Sequence, residues 1–250
     1  MRVRVKFTKT GNMKYIGHLD VMRYFQKVLR RADVDVSFSG GFSPHMIMSF
    51  AAPLGVGTTS SGEYFDLDLQ SAPSGRELME RMNAQMHEGM SVVGIRKIGE
   101  DKHSKGMTLV AAADYSVTLD LSEIAAAEAA ACKASLEGME QKQEAFLAQE
   151  EVHVWRKTKR SEGLVNIRPW IYSFSCETDV NGIPVFRMCV SQGSVSNLKP
   201  DLVVKAFADY AGLQIPDGTM RIHREDIYAN AGTETERKLV SLGNLGEEIV

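Results

Sequence analysis

The sequence predicts an α+β protein of two ferredoxin-like lobes, each a split β-α-β-β-α-β unit, the second with an extra strand. Three observations predict it. Residues 2–7 alternate basic and apolar side chains with the period of two of a half-buried strand. Residues 18–32 switch to helical spacing. After a polar, glycine-bounded break at residues 99–106, GEDKHSKG, the strand-then-helix pattern begins again. A chain of 250 residues has room for two such lobes, each large enough to bury its own core.

In the first lobe, residues 1–100, Val3, Val5 and Phe7 point inward from the opening strand. Leu19, Met22, Phe25, Val28, Leu29 and Ala32 form the apolar stripe of the first helix. Residues 33–38 alternate as a second strand ending in Ser39-Gly40-Gly41, and residues 62–69 make the third. A helix over 74–88 follows, with Ser74 as its N-cap and Glu77 three residues on, then a fourth strand over 91–98.

The second lobe, residues 107–229, opens with a strand over 115–121. Ser122 caps an alanine-rich helix reaching Gln149. Three strands follow over 152–157, 164–176 and 183–190, then a helix over 199–211 and a strand over 220–228. Residues 230–250, dominated by threonine, glutamate and glycine, are expected to be a mobile tail.

A net charge of -3 supplies no global attraction to nucleic acid or acidic lipid, so any such surface is local. The first residues lack the apolar core of a secretion signal, and no stretch approaches a membrane span, so a cytoplasmic location and no membrane are expected. Cys132, Cys176 and Cys189 stand apart with no C-x-x-C, which argues against a disulfide framework, a metal site or a bound cofactor.

Charge is nevertheless uneven. Residues 2–31 carry nine cations, Arg2, Arg4, Lys6, Lys9, Lys14, Arg23, Lys27, Arg30 and Arg31, against the single carboxylate of Asp20. On the first helix Arg23, Lys27, Arg30 and Arg31 fall opposite the apolar stripe, a surface able to grip phosphates or simply a solvated face. A second basic stretch joins Trp155, Arg156, Lys157, Thr158, Lys159 and Arg160 to Arg168-Pro169-Trp170, the mix of aromatic and cation that single-stranded RNA readers use. Trp170 is equally suited to a core position, and Arg168 beside Pro169 is the more exposed candidate.

The loop Gly41, Phe42, Ser43, Pro44 and His45, continued by Pro53-Leu54-Gly55-Val56-Gly57, combines free and fixed backbone and suits either a ligand loop or a sheet-edge crossing with Phe42, Ile47 and Phe50 packed beneath it. For acid-base chemistry the candidates are His18, Asp20, His45 and Glu63, provided that the fold brings them together. Asp66 and Asp68 share a strand face, where they suit either a cation or the basic strand of Arg2, Arg4 and Lys6.

The runs Val5-Lys6-Phe7-Thr8-Lys9-Thr10-Gly11, Tyr15-Ile16-Gly17-His18-Leu19-Asp20-Val21-Met22-Arg23, Gly41-Phe42-Ser43-Pro44-His45, Pro53-Leu54-Gly55-Val56-Gly57 and Gly62-Glu63-Tyr64 resemble the radical SAM-linked family DUF2344, a domain of unknown function. Asn166-Ile167-Arg168-Pro169 and Gly193-Ser194-Val195 extend the resemblance into the second half. Two departures stand out: Met46 replaces the proline common after the loop histidine, and Ser196-Asn197-Leu198-Lys199 separates Val195 from Pro200 where the family has a single arginine. The resemblance implies a radical SAM partner protein and a setting near RNA processing and the ribosome. The chain has no C-x-x-x-C-x-x-C of its own for such a cluster. The expectation is a non-catalytic accessory protein that recognises RNA or part of the translation machinery; an enzyme in its own right and a protein-interaction scaffold are the alternatives.

Overall fold

A computed structural model describes residues 1–157, 162–179, 182–194 and 196–250. The architecture is mixed α+β with mostly antiparallel strands, in two compact units. Met1–Ala112 and Arg224–Val250 form unit 1, and Ala113–His223 form unit 2. Unit 1 opens with β1 (Arg2–Lys9), α1 (His18–Arg31), β2 (Met48–Phe50), β3 (Thr59–Asp68), α2 (Gly75–Asn83), β4 (Met90–Ile98) and the short helix α3 (Gly106–Leu109). Next, β5 (Val110–Leu119) leads into α4 (Ala126–Ser135), α5 (Gln143–Leu147), β6 (His153–Lys157), β7 (Glu162–Asn166), β8 (Ile171–Thr178), β9 (Pro184–Ser191) and α6 (Pro200–Ala211) of unit 2. The long strand β10 (Met220–Asn230) starts in unit 2, and from Arg224 onward it belongs to unit 1, as does β11 (Leu239–Ser241).

In unit 1 the strands run β4-β1-β3, and both β2 and β10 pair with β3. Strand alternation sends Val3, Val5 and Phe7 to one face, where they meet Val21, Phe25, Val28 and Leu29 of α1 and Leu78 and Met82 of α2. The rings of Phe7, Phe25, Phe50 and Phe65 form the centre of this core, with centroids between 4.7 and 6.3 Å apart. Leu19, expected in the apolar stripe, is exposed and Val21 is buried in its place. Two residues along a helix is more than half a turn, so the two cannot share a face. Gly62 lets β10 approach closely, because a Cβ there would lie 2.6 to 2.8 Å from Asp226 and the Glu225 carbonyl.

Residues 33–38 do not form the expected strand. Asp33 turns the chain with φ +50°, and only Val36 and Phe38 make isolated bridges, to Leu69 and Met46. The pairing partner of β3 is instead β2. The helix expected over 74–88 has the expected cap, Ser74 Oγ accepting from the Glu77 amide at 3.3 Å, but ends at Asn83.

The expected mobile tail is also corrected. The β11 strand pairs with Tyr228, Ala229 and Asn230 of β10, Leu242 is fully buried, and Lys97 exchanges backbone hydrogen bonds with Glu247. Residues 224–229, expected in the second lobe, belong with this segment to unit 1.

In unit 2 the strand order is β10-β5-β9-β8, with β10 contributing its first residues. Rings of Phe146, Phe174, Phe186 and Phe207 build its core. The extra strand appears as a separate two-stranded sheet of β6 and β7, and the single strand expected over 164–176 is split by the Arg168–Trp170 turn, where Pro169 stops strand pairing. The long helix expected over 122–149 is broken as well. Its first part ends at Ser135, Gly138 turns the chain at φ +72° before the next part, and Ser122 bonds Asp120 at 2.6 Å without capping α4.

Candidate nucleic-acid interface

Helix α1 is amphipathic, with an Asp20 carboxylate in its first turn and Arg30 and Arg31 in its last, each at the favourable end of the helix dipole. Packing of Val21, Phe25, Val28 and Leu29 against the sheet fixes the rotation of the helix. That rotation leaves Arg23, Lys27, Arg30 and Arg31 exposed along one stripe. Arg23 has a weak exposed pair with Asp20 at 3.4 Å, and Lys27, Arg30 and Arg31 have no ion pair among the described residues. Just before the helix, Lys14 lies over the exposed Tyr15 ring at 5.1 Å, and Leu19, one turn before Arg23, is exposed. A strip of four guanidinium and ammonium groups with an aromatic and an aliphatic side chain at its start suits a phosphate backbone with bases to stack.

The other four cations of the N-terminal run are not part of this surface. Antiparallel register sets Arg2 opposite Asp68 and Arg4 opposite Asp66, and both pairs form, at 2.6 and 2.8 Å. Asp66 and Asp68 therefore answer the basic strand. Lys6 reaches Asp226 at 3.1 Å. Lys9, expected on the RNA surface, is only 2% exposed; its Nζ donates to the Ile16 carbonyl at 2.9 Å, and burial pulls its pKa down. Of the nine cations the four exposed ones are thus Arg23, Lys27, Arg30 and Arg31, with the half-buried Lys14 just before them.

Of the four acid-base candidates, two share a cleft and all four have other partners. Asp20 is exposed against Arg23, and His45 is exposed with its ring on Ser39 Oγ at 2.8 Å. His18 stands edge-on to Phe50 at 5.1 Å and lines a small cleft with Lys9, Pro53 and Glu63. Glu63 is itself buried and tied up, both its oxygens taken by Arg224, whose Nε donates at 2.7 Å. A carboxylate gripped on both oxygens by a guanidinium is a poor general base.

The loop Gly41, Phe42, Ser43, Pro44 and His45 is exposed throughout, with Gly41 at φ +96°. Phe42, expected to pack underneath if the loop were a sheet-edge crossing, is fully exposed, whereas Met46 and Phe50 fill the core.

In unit 2 the second basic stretch is largely engaged. Arg156 donates to the Asn197 carbonyl at 2.9 Å and lies 5.8 Å over the half-buried Trp170. Lys157 pairs with Glu162 at 3.2 Å, and the exposed Trp155 donates to the same carboxylate. Arg168, expected to be exposed, turns inward to the carbonyls of Leu147 and Ile171. Thr158, Lys159 and Arg160, and Val195 of the Gly193-Ser194-Val195 motif, lie outside the described residues. The cysteines are buried, and burial pushes the Cys176 thiol up to about 11 and the Cys189 thiol up as well, so they are inert.

Sequence reasoning missed Arg224 and Asp226, which complete Glu63 and Lys6 from β10. The run Arg221-Ile222-His223-Arg224-Glu225-Asp226 is a charge-rich strand, the one signal that its polar side chains have partners elsewhere. Among the described residues no group of His, Cys, Asp or Glu is placed to hold a metal ion, and no helix is long and apolar enough to cross a membrane.

Residues 2–200 match the model of a family described as an uncharacterized protein conserved in bacteria, DUF2344. No curated protein matches. Among solved structures, a chain of a Cbf5-Nop10-Gar1 complex is similar at 9% identity and a TM-score of 0.47, over 90% of this chain and 48% of that one. The present chain spans about half the length of that chain.

Proposed function

Since the chain belongs to the DUF2344 family, we propose that it is a non-catalytic accessory protein of the cytoplasm that recognises RNA, or an RNA-bearing part of the translation machinery, for a radical SAM partner. One observation carries the reading: Arg23, Lys27, Arg30 and Arg31 form an exposed stripe with a single acidic neighbour, while β1 spends its own cations on Asp66, Asp68 and Asp226. Neutralising β1 internally and leaving α1 bare is what a phosphate-binding face needs. The engagement of Asp20 with Arg23, of His45 with Ser39 and of Glu63 with Arg224 supports a partner for whatever chemistry follows.

The fold supports this reading by analogy alone. In unit 1 β4-β1-β3-β2 and in unit 2 β10-β5-β9-β8 repeat one order, fourth-first-third-second, which we read as two ferredoxin-like lobes. Binding of the full chain to a single-stranded oligoribonucleotide, followed by fluorescence anisotropy across a salt series, tests the function. Affinity that falls steeply with salt supports it; absent binding would leave the interaction scaffold as the better reading.

A further inference from the structure

A second basic feature lies in unit 1, between strands β1 and β4, the start of α2 and the C-terminal segment. There a cavity of about 480 Å³ is bounded by Arg4, Lys6 and Arg96 from the sheet, Arg76 from the start of α2, and Gly243 and Glu248 from the C-terminal segment. Its volume is within the range of small-ligand sites. Four cations face one carboxylate in this lining, although Lys6 and Arg76 also have acidic neighbours in Asp226 and Glu80.

Arg4 is the unusual member. It is 2% exposed, and Asp66 and the Ser104 carbonyl hold its Nε and Nη2. Its Nη1 is buried with no hydrogen-bond partner, the one such side-chain atom among the described residues. A buried guanidinium nitrogen without an acceptor is costly, and it marks a place where an acceptor is expected. Arg96, donating to the Gly243 carbonyl at 3.0 Å, has only Glu248 at 4.0 Å for a charge partner. Met79, Ile95 and Leu242 give the same cavity apolar walls.

We propose that this cavity binds a small phosphorylated ligand of mononucleotide size, its phosphate between Arg4, Arg76 and Arg96 and its organic part against the apolar walls. Guanidinium groups match phosphate oxygens in geometry and remain charged at every physiological pH. The ligand displaces Glu248 from Arg96, so Glu248 competes with the phosphate. The site is independent of the RNA surface on α1, and either can fail without the other.

Isothermal titration of the full chain with adenosine 5′-monophosphate, inorganic phosphate and adenosine tests the proposal. The two phosphates bind and adenosine does not. Arg96→Gln and Arg76→Gln each weaken binding about tenfold, and Glu248→Gln tightens it. A mononucleotide that binds more tightly than phosphate supports an organic part held by the apolar walls; equal binding overturns that part of the proposal. Arg4→Gln abolishes binding, but it also breaks the buried pair with Asp66, so the deciding variants are those of the exposed Arg76 and half-exposed Arg96. Phosphates that bind no better than adenosine, or unchanged affinity in both variants, overturn it.

Discussion

The Arg224 guanidinium closes on both oxygens of the Glu63 carboxylate, 161 positions earlier in the chain. Each side chain is almost wholly buried, Arg224 at 1% and Glu63 at 4% exposure, and Arg224 also donates to the Ala52 carbonyl at 2.7 Å. The pair ties β10 to β3 and so brings the last strands into the unit that the first residues begin.

Removing one partner strands the other charge in the interior. Arg224→Ala is expected to cost about 3–5 kcal/mol in urea unfolding, and Glu63→Ala a similar amount. The double variant should lose much less than the sum of the two, a non-additivity that a double-mutant cycle measures. Additive losses would show that the pair is not coupled.

The C-terminal segment is integral to unit 1. Leu242→Ala, at a fully buried position, should destabilise by about 2–5 kcal/mol, and amides of Val240, Gly243 and Glu247 should be protected from hydrogen exchange. Free exchange over residues 239–247 would contradict the packing described.

Tyr64 gives a pH signature. Burial and the bond to Asp226 raise its pKa above the ordinary 10.0. A raised folded-state pKa means that the stabilisation is fully present below pH 10.0 and is lost as pH rises from there through the folded value. Unfolding free energy should therefore decline above pH 10 in the wild type and decline less in Tyr64→Phe. Parallel curves for the two proteins would rule out this titration.

Arg168 separates structure from recognition. Its bonds to the Leu147 and Ile171 carbonyls hold the turn before β8, so Arg168→Gln should cost about 1–3 kcal/mol of stability. RNA affinity of the folded variant should be unchanged; a loss of affinity would return Arg168 to the binding surface.

Much of the fold is legible in local pattern. The alternation of Val3, Val5 and Phe7 and the spacing of Phe25, Val28 and Leu29 are local periodicities, and the structure follows them. The pairing of Asp66 and Asp68 with the basic strand is legible as one of two readings, because register places matching charges opposite each other. The exposed stripe on α1 is legible because helical spacing alone sets it opposite the apolar face. The fates of Lys9 and Lys6 are not legible, since burial and the partner Asp226 depend on tertiary packing and, for Lys6, on a strand more than 200 residues away. The composition of residues 230–250 suggests mobility, and it is tertiary contact, with Leu242 in a core and Lys97 paired to Glu247, that orders them. Gly138 is visible in the sequence, but its alanine-rich neighbours outweigh one glycine in a reading by propensity.

The most direct test of the RNA-binding account is the salt dependence of oligoribonucleotide binding for the wild type against the Arg23→Gln/Lys27→Gln/Arg30→Gln triple variant. All three residues are exposed, so the fold should be preserved, which circular dichroism checks. If each contacts one phosphate, the slope of log affinity against log salt should fall by about 2 in the variant. Equal slopes and equal affinities for the two folded proteins would contradict the account.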